Sequence, residues 1–222
     1  MSFLLTDPTH PLPLVLVAAV GGYLSGSVPY GLLLSKMAGA GDIRKSGSGN
    51  IGATNVLRVV GKKVAAATLV LDALKGFVPV AVAGAFHQDY AILAAFGAFF
   101  GHLFPVWLKF KGGKGVATAL GVCFGFSWML GASLCGIWLF MAGVTQYSSL
   151  SALTAFGLAP MIALRLTSAD NPQGALQLTA VVFIITVIVW MRHHENIKRL
   201  FKGTESKISF SKKSSDKKEG AA

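Results

Sequence analysis

Residues 175–191 read ALQLTAVVFIITVIVWM, an apolar run without an ionisable side chain that ends directly before Arg192. A helix needs about 20 mostly apolar residues, and at least about 17, to cross the hydrocarbon core of a bilayer. The whole chain is 53% hydrophobic and 13% charged, whereas a soluble domain carries about 25% charged residues. The sequence therefore predicts an all-α integral membrane protein rather than one large soluble domain. Further apolar stretches occupy 12–34, 64–86, 91–108, 116–144 and 147–164.

The net charge of +11 is unevenly distributed along the chain. Of the 20 Lys and Arg residues, six lie at 36–63, three at 109–114 and nine at 192–222, which leaves Lys75 and Arg165. Cytoplasmic loops of membrane proteins carry an excess of Lys and Arg, so these three segments are predicted to face the cytoplasm. Membrane topology thus explains the positive charge, and no nucleic-acid partner is expected.

The number of spans follows from this charge asymmetry. If 116–144 formed one span, the nine-cation C-terminal segment would lie outside, so a break is predicted near Phe126–Ser127. We therefore expect a bundle of seven transmembrane helices, one of them short, with the N-terminus outside and the C-terminus in the cytoplasm. A five-span version, with one pair of helices merged into a re-entrant hairpin, remains an alternative. The predicted spans are 12–35, 64–86, 91–108, 116–126, 128–145, 147–166 and 175–191. Residues 1–208 are expected to form a single transmembrane domain, and 209–222 a disordered basic tail.

The first basic loop contains SGSGNIGATNVLR at 46–58. It matches the dinucleotide fingerprint G-x-G-x-x-G, but that fingerprint requires a preceding strand in a βαβ unit, and a membrane helix precedes it here. Glycines and short polar side chains beside cations can instead form an anion-binding nest. The alternative is a flexible interhelical loop whose cations only set topology. The candidate phosphate ligands are Ser48, Gly49, Asn50, Thr54, Asn55 and Arg58.

The second basic loop reads KFKGGKGVAT at 109–118 and leads directly into an apolar segment. It lacks the spacing of a P-loop, so no P-loop NTPase is implied. Gly112, Gly113 and Gly115 would allow close approach of a phosphate, and Lys114 would supply charge. The following helix would begin with free N–H groups. Because both loops are expected on the same membrane face, together they predict one phosphate site.

Several polar side chains fall inside or at the ends of the spans. Ionisable groups within a membrane usually face a cavity or a partner. Asp72 and Lys75 could therefore serve the site or form a structural ion pair. His102, about two turns inside its span, could be a catalytic residue or a packing histidine. Ser149 could line the site or cap a helix. The cysteines are expected to be packing residues, and the sequence shows no metal-ligand spacing.

Beyond the last span, His193 and Asn196 are spaced i, i+3. On one continuous helix they would share a face at the cytoplasmic rim. Positive-inside bias would explain the neighbouring arginines but not this polar pair. It is therefore a candidate part of the site.

Together these segments resemble the bacterial acyl-phosphate:glycerol-3-phosphate acyltransferase family. The resemblance covers about 12–208 and rests on SGNIGATN (48–55) with Arg58, KGGKGVAT (111–118), and RHHENI (192–197) with GTE (203–205). DALKG (72–76) and HLFP (102–105) are also similar to that family, whereas His194 stands where an arginine is expected. The resemblance implies transfer of a fatty acyl group from acyl phosphate to the 1-hydroxyl of glycerol 3-phosphate. The products would be lysophosphatidate and phosphate, the entry step of phospholipid synthesis at the bacterial inner membrane.

The resemblance further implies that Ser48, Arg58, Lys114, Ser149, His193 and Asn196 line the site. Of these, Ser48, Lys114, His193 and Asn196 are the catalytic candidates, while Asp72, Lys75, His102 and Glu205 are expected to support the site. No cofactor is expected, and the protein is expected to be monomeric. Our hypothesis is direct attack by the glycerol hydroxyl, with either His193 or a substrate phosphate as the base. The alternative function is a transporter or flippase of an anionic lipid or organophosphate.

Overall fold

The computed structural model describes residues 11–167 and 172–208. Within these ranges the regular structure is helical. Ten α-helices occur there: α1 Leu12–Ser27, α2 Tyr30–Met37, α3 Ala53–Val59, α4 Lys62–Gly84, α5 Gln88–Leu103, α6 Val116–Phe126, α7 Trp128–Thr145, α8 Ser148–Thr167, α9 Pro172–Arg192 and α10 His194–Phe201. Short 3-10 turns lie at Ile43–Lys45 and Val106–Leu108.

In the described part of the chain, six helical segments are long and apolar enough to cross a membrane, with α1 and α2 counted together, and α6 is a shorter apolar helix. The prediction of an all-α membrane protein with seven spans, one of them short, is confirmed. The predicted tail at 209–222 lies outside the described residues. The orientation of the termini stays a prediction.

The predicted break near Phe126–Ser127 is confirmed. Ser127 has an extended backbone (φ −156°, ψ 123°), and its hydroxyl oxygen accepts a hydrogen bond from Leu130 N at 3.3 Å. A serine that accepts from an early helical N–H is a typical N-cap. It therefore ends α6 and begins α7 within a single residue.

The first span is not the continuous helix predicted at 12–35. It breaks at Val28–Pro29, between α1 and α2, because proline lacks an N–H group and disfavours helical backbone at the residue before it. The carbonyl oxygen of Val28 accepts a hydrogen bond from Lys75 Nζ at 2.7 Å. A cation from α4 thereby satisfies a backbone group that the break exposes inside the bundle.

Glycines allow the helices to pack backbone to backbone. A Cβ atom on Gly26 of α1 would overlap the backbone of Ala98 on α5, and one on Gly121 of α6 would overlap that of Ala73 on α4. Small residues serve this purpose at membrane helix interfaces, where burial provides little driving force. The core beneath them is built from side chains such as Phe99, Leu103, Val122, Phe156 and Val182.

Candidate active site

Three chain segments far apart in sequence meet at the end of the bundle that carries the loops at 38–52 and 104–115, called here the loop end. Thr54 Oγ1 and Ser148 Oγ form a 2.9 Å hydrogen bond that joins the first basic loop to the start of α8. Lys114 Nζ donates to Asn196 Oδ1 at 2.6 Å and joins the second loop to α10. The structure therefore brings the predicted loop residues to one site.

Glu205 lies at the centre of this site, although the sequence suggested only a supporting role for it. Its Oε1 accepts hydrogen bonds from Ser149 Oγ at 2.7 Å and Asn196 Nδ2 at 2.6 Å, and its Oε2 accepts from Arg199 Nε at 2.7 Å. Burial raises the pKa of the Glu205 carboxyl, but the three donors lower it further, so the net pKa lies below the usual value. The carboxylate therefore stays ionised and orients Ser149 and Asn196.

Lys114 is hydrogen-bonded to this network through Asn196. It precedes Gly115, whose left-handed backbone (φ +84°) forms the N-cap of α6. Burial lowers the pKa of Lys114 to about 8, the cations Arg58, Arg192 and Arg199 lower it too, and Glu205 opposes the shift. At neutral pH a compact positive charge is held where a phosphate could bind.

His193 lies at a junction between two helices. The helix α9 ends at Arg192, and His193 is the N-cap of α10, the helix that carries Asn196, with φ −103° and ψ 8°. Both side chains are nevertheless buried at the loop end. His193 Nδ1 lies 2.7 Å from the carbonyl oxygen of Val189, so Nδ1 must donate and Nε2 keeps a lone pair. Burial and the charge of Lys114 lower the pKa of His193 to about 4, which keeps the ring neutral at neutral pH.

In the first loop, some of the predicted phosphate ligands stabilise the loop itself and others remain exposed. Asn55 is buried, its Nδ2 donates to the carbonyl oxygens of Ile43, Ser46 and Asn50, and its Oδ1 accepts from Ser48 N at 2.8 Å. The prediction that Asn55 contacts phosphate is therefore corrected, because its polar atoms hold the loop together.

The other first-loop candidates surround this buried amide. Asn50 Oδ1 accepts from Gly52 N at 2.8 Å. Gly49 has a left-handed backbone (φ +71°) that an L side chain rarely adopts. Ser48 and Arg58 have exposed side chains, so they are free to meet a ligand.

The prediction for Gly112 and Gly113 is also corrected. Gly112 N donates to Leu103 O at 3.0 Å and Gly113 N to His102 O at 3.1 Å. These amides are therefore not available to phosphate, and the two glycines instead let the loop fold back closely on the end of α5. In the second loop, Lys114 and the start of α6 remain as the candidate contacts.

Arg192 is a residue of this site that sequence reasoning missed. Its Nη2 donates to Gly113 O at 2.9 Å and Gly112 O at 3.3 Å. The guanidinium thus holds the second loop against the end of α9. Its position next to His193 was the available signal, but the positive-inside bias already explained an arginine at the end of a span.

Three of the predicted supporting residues, Asp72, Lys75 and His102, form a buried cluster beneath the second loop. Lys75 Nζ lies 2.7 Å from Asp72 Oδ1, which confirms an ion pair, and both side chains are buried. His102 Nδ1 lies 3.1 Å from Thr118 Oγ1 and 3.9 Å from Asp72 Oδ1. His102 lies in the last turn of α5, which ends at Leu103, while the apolar span continues to Leu108, so its predicted place inside the span holds. Gly113 lies directly against the His102 ring, so the cluster supports the loop that carries Lys114.

The lining of an apolar groove includes Leu150 and Ile197, the residues that follow Ser149 and Asn196 in sequence. The groove has a volume of about 660 Å³ and lies between α8, α9 and α10. We call it the lateral groove. Among 11–167 and 172–208, no group of three or more His, Cys, Asp or Glu side chains could hold a metal ion. The site therefore offers cations, hydrogen-bond donors, a neutral histidine and an adjoining apolar surface.

Residues 16–203 match the family model described as glycerol-3-phosphate acyltransferase. The chain belongs to this family. The match includes the first two loop motifs and the third as far as Gly203, and it confirms the resemblance and favours an enzyme over the transporter alternative.

Relatives and solved structures agree with this assignment. The glycerol-3-phosphate acyltransferase of Mesorhizobium japonicum is 54% identical over 87% of this chain and 96% of its own. That of Brucella canis is 53% identical over 92% and 98%. The chain is also similar to crystal structures of PlsY, an integral membrane glycerol 3-phosphate acyltransferase. The glycerol 3-phosphate form has a TM-score of 0.79 at 36% identity over 88% of this chain and 96% of that one. For the lysophosphatidic acid form the TM-score is 0.77 at 35% identity, with the same coverage.

Proposed function

We propose that this chain transfers a fatty acyl group from acyl phosphate to the 1-hydroxyl of glycerol 3-phosphate. The products are lysophosphatidate and inorganic phosphate, and the reaction begins phospholipid synthesis. The observation that supports the proposal most strongly is that a polar, positively charged site lies next to an apolar groove. Lys114 offers charge to a phosphate beside Ser149 and Asn196, which Glu205 holds in place, and the lateral groove next to them suits an acyl chain.

The first loop supplies the second phosphate contact in this proposal. Ser48 and Arg58 are exposed, and the hydrogen bond between Thr54 and Ser148 holds the loop against α8. Glycerol 3-phosphate is water-soluble and would reach this rim directly, whereas the acyl donor would enter from the bilayer. Arg58 and Ser48 would bind the phosphate of the acceptor, and Lys114 would bind that of the donor.

The chemistry needs no covalent enzyme intermediate, because acyl phosphate is a mixed anhydride with a good leaving group. The 1-hydroxyl oxygen attacks the carbonyl carbon, the bond from that carbon to the phosphate oxygen breaks, and the hydroxyl proton passes to a phosphate oxygen. Lys114 neutralises charge on the departing phosphate, as positioned cations do in phosphoryl and acyl transfer.

Of the two bases considered, the substrate phosphate fits the site better than His193. A general base works best when its pKa is near the working pH, and the pKa of His193 is lowered to about 4 by burial and by Lys114. His193 Nε2 instead accepts a hydrogen bond from the attacking hydroxyl and orients it. Holding reactants in an attack geometry is itself a large catalytic contribution.

The expected location is the bacterial inner membrane, with the site facing the cytoplasm, because the loop end carries the clustered cations. The three motifs meet within one chain, so a monomer suffices, and no nucleic-acid partner is proposed.

The test is a donor comparison with purified protein in bilayer nanodiscs. Acyl phosphate, acyl-CoA and acyl-carrier protein are each offered with glycerol 3-phosphate, and both lysophosphatidate formation and phosphate release are followed. We expect equal amounts of both products from acyl phosphate and little lysophosphatidate from the thioesters, which present no phosphate beside the carbonyl. Equal use of acyl-CoA would contradict the donor assignment, and failure to form lysophosphatidate from any donor would contradict the function.

A further inference from the structure

The floor of the lateral groove is formed by one face of α8. Leu150, Leu153, Thr154, Gly157 and Leu158 line the groove, and their spacing of i, i+3, i+4, i+7 and i+8 places them along one stripe of the helix. The stripe starts next to Ser149, whose hydroxyl is bonded to Glu205. An acyl chain that leaves the phosphate site would therefore run along α8 toward the middle of the bilayer.

Trp190 of α9 narrows the groove opposite Gly157. A Cβ atom placed on Gly157 would lie 3.4 Å from Trp190 Cζ2 and 3.9 Å from Cε2. Both distances correspond to ordinary van der Waals contact, so alanine fits there, but a larger side chain needs the space that the indole occupies. Both residues are exposed to the bilayer side rather than packed into the core.

The position of this narrowing corresponds to a definite point along an acyl chain. Gly157 follows Ser149 by eight residues, which is about 12 Å at 1.5 Å of helix rise per residue. An extended chain of tetrahedral carbons with bonds of about 1.5 Å advances about 1.25 Å per bond. About ten carbons therefore fit between the reacting end and the level of Gly157.

We propose that Gly157, facing Trp190, determines which acyl chain lengths this protein accepts. The absence of a side chain at Gly157 leaves the groove open past the tenth carbon, so that long acyl groups can continue into the bilayer. A large side chain at this position would close the groove and restrict use to short acyl groups. This inference rests on the proposed function, because it takes acyl phosphate as the occupant.

The experiment compares octanoyl phosphate and palmitoyl phosphate as donors, with kcat/KM measured for each. We expect Gly157→Leu to lower the palmitoyl-to-octanoyl ratio of kcat/KM about tenfold or more, the scale expected when a large side chain is forced into a space that is already filled. Gly157→Ala should change the ratio by less than about twofold, because its Cβ makes only ordinary contacts. Adding Trp190→Ala to Gly157→Leu should restore most of the ratio by reopening the space.

The matched control is Gly136→Leu on α7. Gly136 is exposed, and a Cβ placed there has no other atom within 4 Å, so the same chemical change should leave the ratio unaltered. An unchanged ratio in Gly157→Leu, at any overall rate, overturns the proposal, as does an equal shift in the control. Failure of wild-type protein to use either donor would instead contradict the proposed function, so the two failures are distinguishable.

Discussion

Replacing Lys114 with alanine removes the one ammonium that the structure bonds directly to the central network. Its Nζ lies 2.6 Å from Asn196 Oδ1, and the charges that act on its pKa are those of Glu205, Arg58, Arg192 and Arg199. A hydrogen bond that involves a charged group contributes about 1.5–3 kcal/mol, and each 1.36 kcal/mol is about tenfold in rate. Lys114→Ala should therefore lower kcat/KM for acyl phosphate about 10–100-fold.

The assay is phosphate release from acyl phosphate in the presence of glycerol 3-phosphate, with lysophosphatidate measured in parallel. Lys111→Ala is the matched control, because Lys111 lies on the same loop with an exposed side chain. It should keep nearly the full rate. Lys114→Arg should recover only part of the loss, since a planar guanidinium is bulkier than the ammonium it replaces.

The same residue predicts a pH dependence. Lys114 has a pKa of about 8, so the ammonium is present below that pH and is lost as the pH rises through it. The wild-type kcat/KM should fall across this range, and the fall should move to higher pH in Lys114→Arg, because arginine stays protonated. If Lys114→Ala retained more than half of the wild-type rate, or Lys111→Ala were equally impaired, the reasoning about Lys114 would be refuted.

Three further predictions follow from the site and the loop end. His193→Ala and Asn196→Ala should each lower turnover about tenfold or more, in the range for lost acid–base or positioning groups. The control is His194→Ala, which should keep its turnover because the His194 side chain is exposed. Full activity in well-folded His193→Ala would remove that histidine from the mechanism. Arg192→Ala should lower kcat/KM about tenfold by freeing the second loop, which is the scale of one charged hydrogen bond. Arg192→Lys should retain part of the activity. If the alanine variant had the same thermal stability and the same activity as the wild type, the positioning role of Arg192 would be contradicted. The native Cys123 and Cys135 are first replaced by alanine. Single cysteines at exposed positions of the loop end should then be labelled from the cytoplasmic side, and one at Phe86 from the outside. Labelling of the loop-end positions from opposite faces would exclude a single site. The loop-end positions are Ser48, Lys111 and Ser206.

Much of the fold could be read from local sequence. The length of an apolar run indicates whether it can cross a bilayer, because hydrocarbon thickness is nearly constant, and the run at 175–191 needs no partner for that argument. The break at Ser127 is likewise a local cap. The family motifs are local as well, since each consists of consecutive or nearly consecutive residues. The helix break at Val28–Pro29 also had a local signal, the proline itself, but the long apolar run around it predicted a single span.

The roles inside the site depended on which distant segments meet. Glu205 bonds to Ser149 across 56 residues of sequence, and Lys114 bonds to Asn196 across 82, so no window of sequence contains either pair. Asn55 carries side-chain groups that suit a phosphate ligand, yet burial within its own loop commits them to the backbone. Apolar length and motif spacing are properties of the chain alone. Whether a polar group faces a substrate or another part of the protein is set by packing, because each hydrogen-bonding group goes to whichever partner the fold brings within about 3 Å.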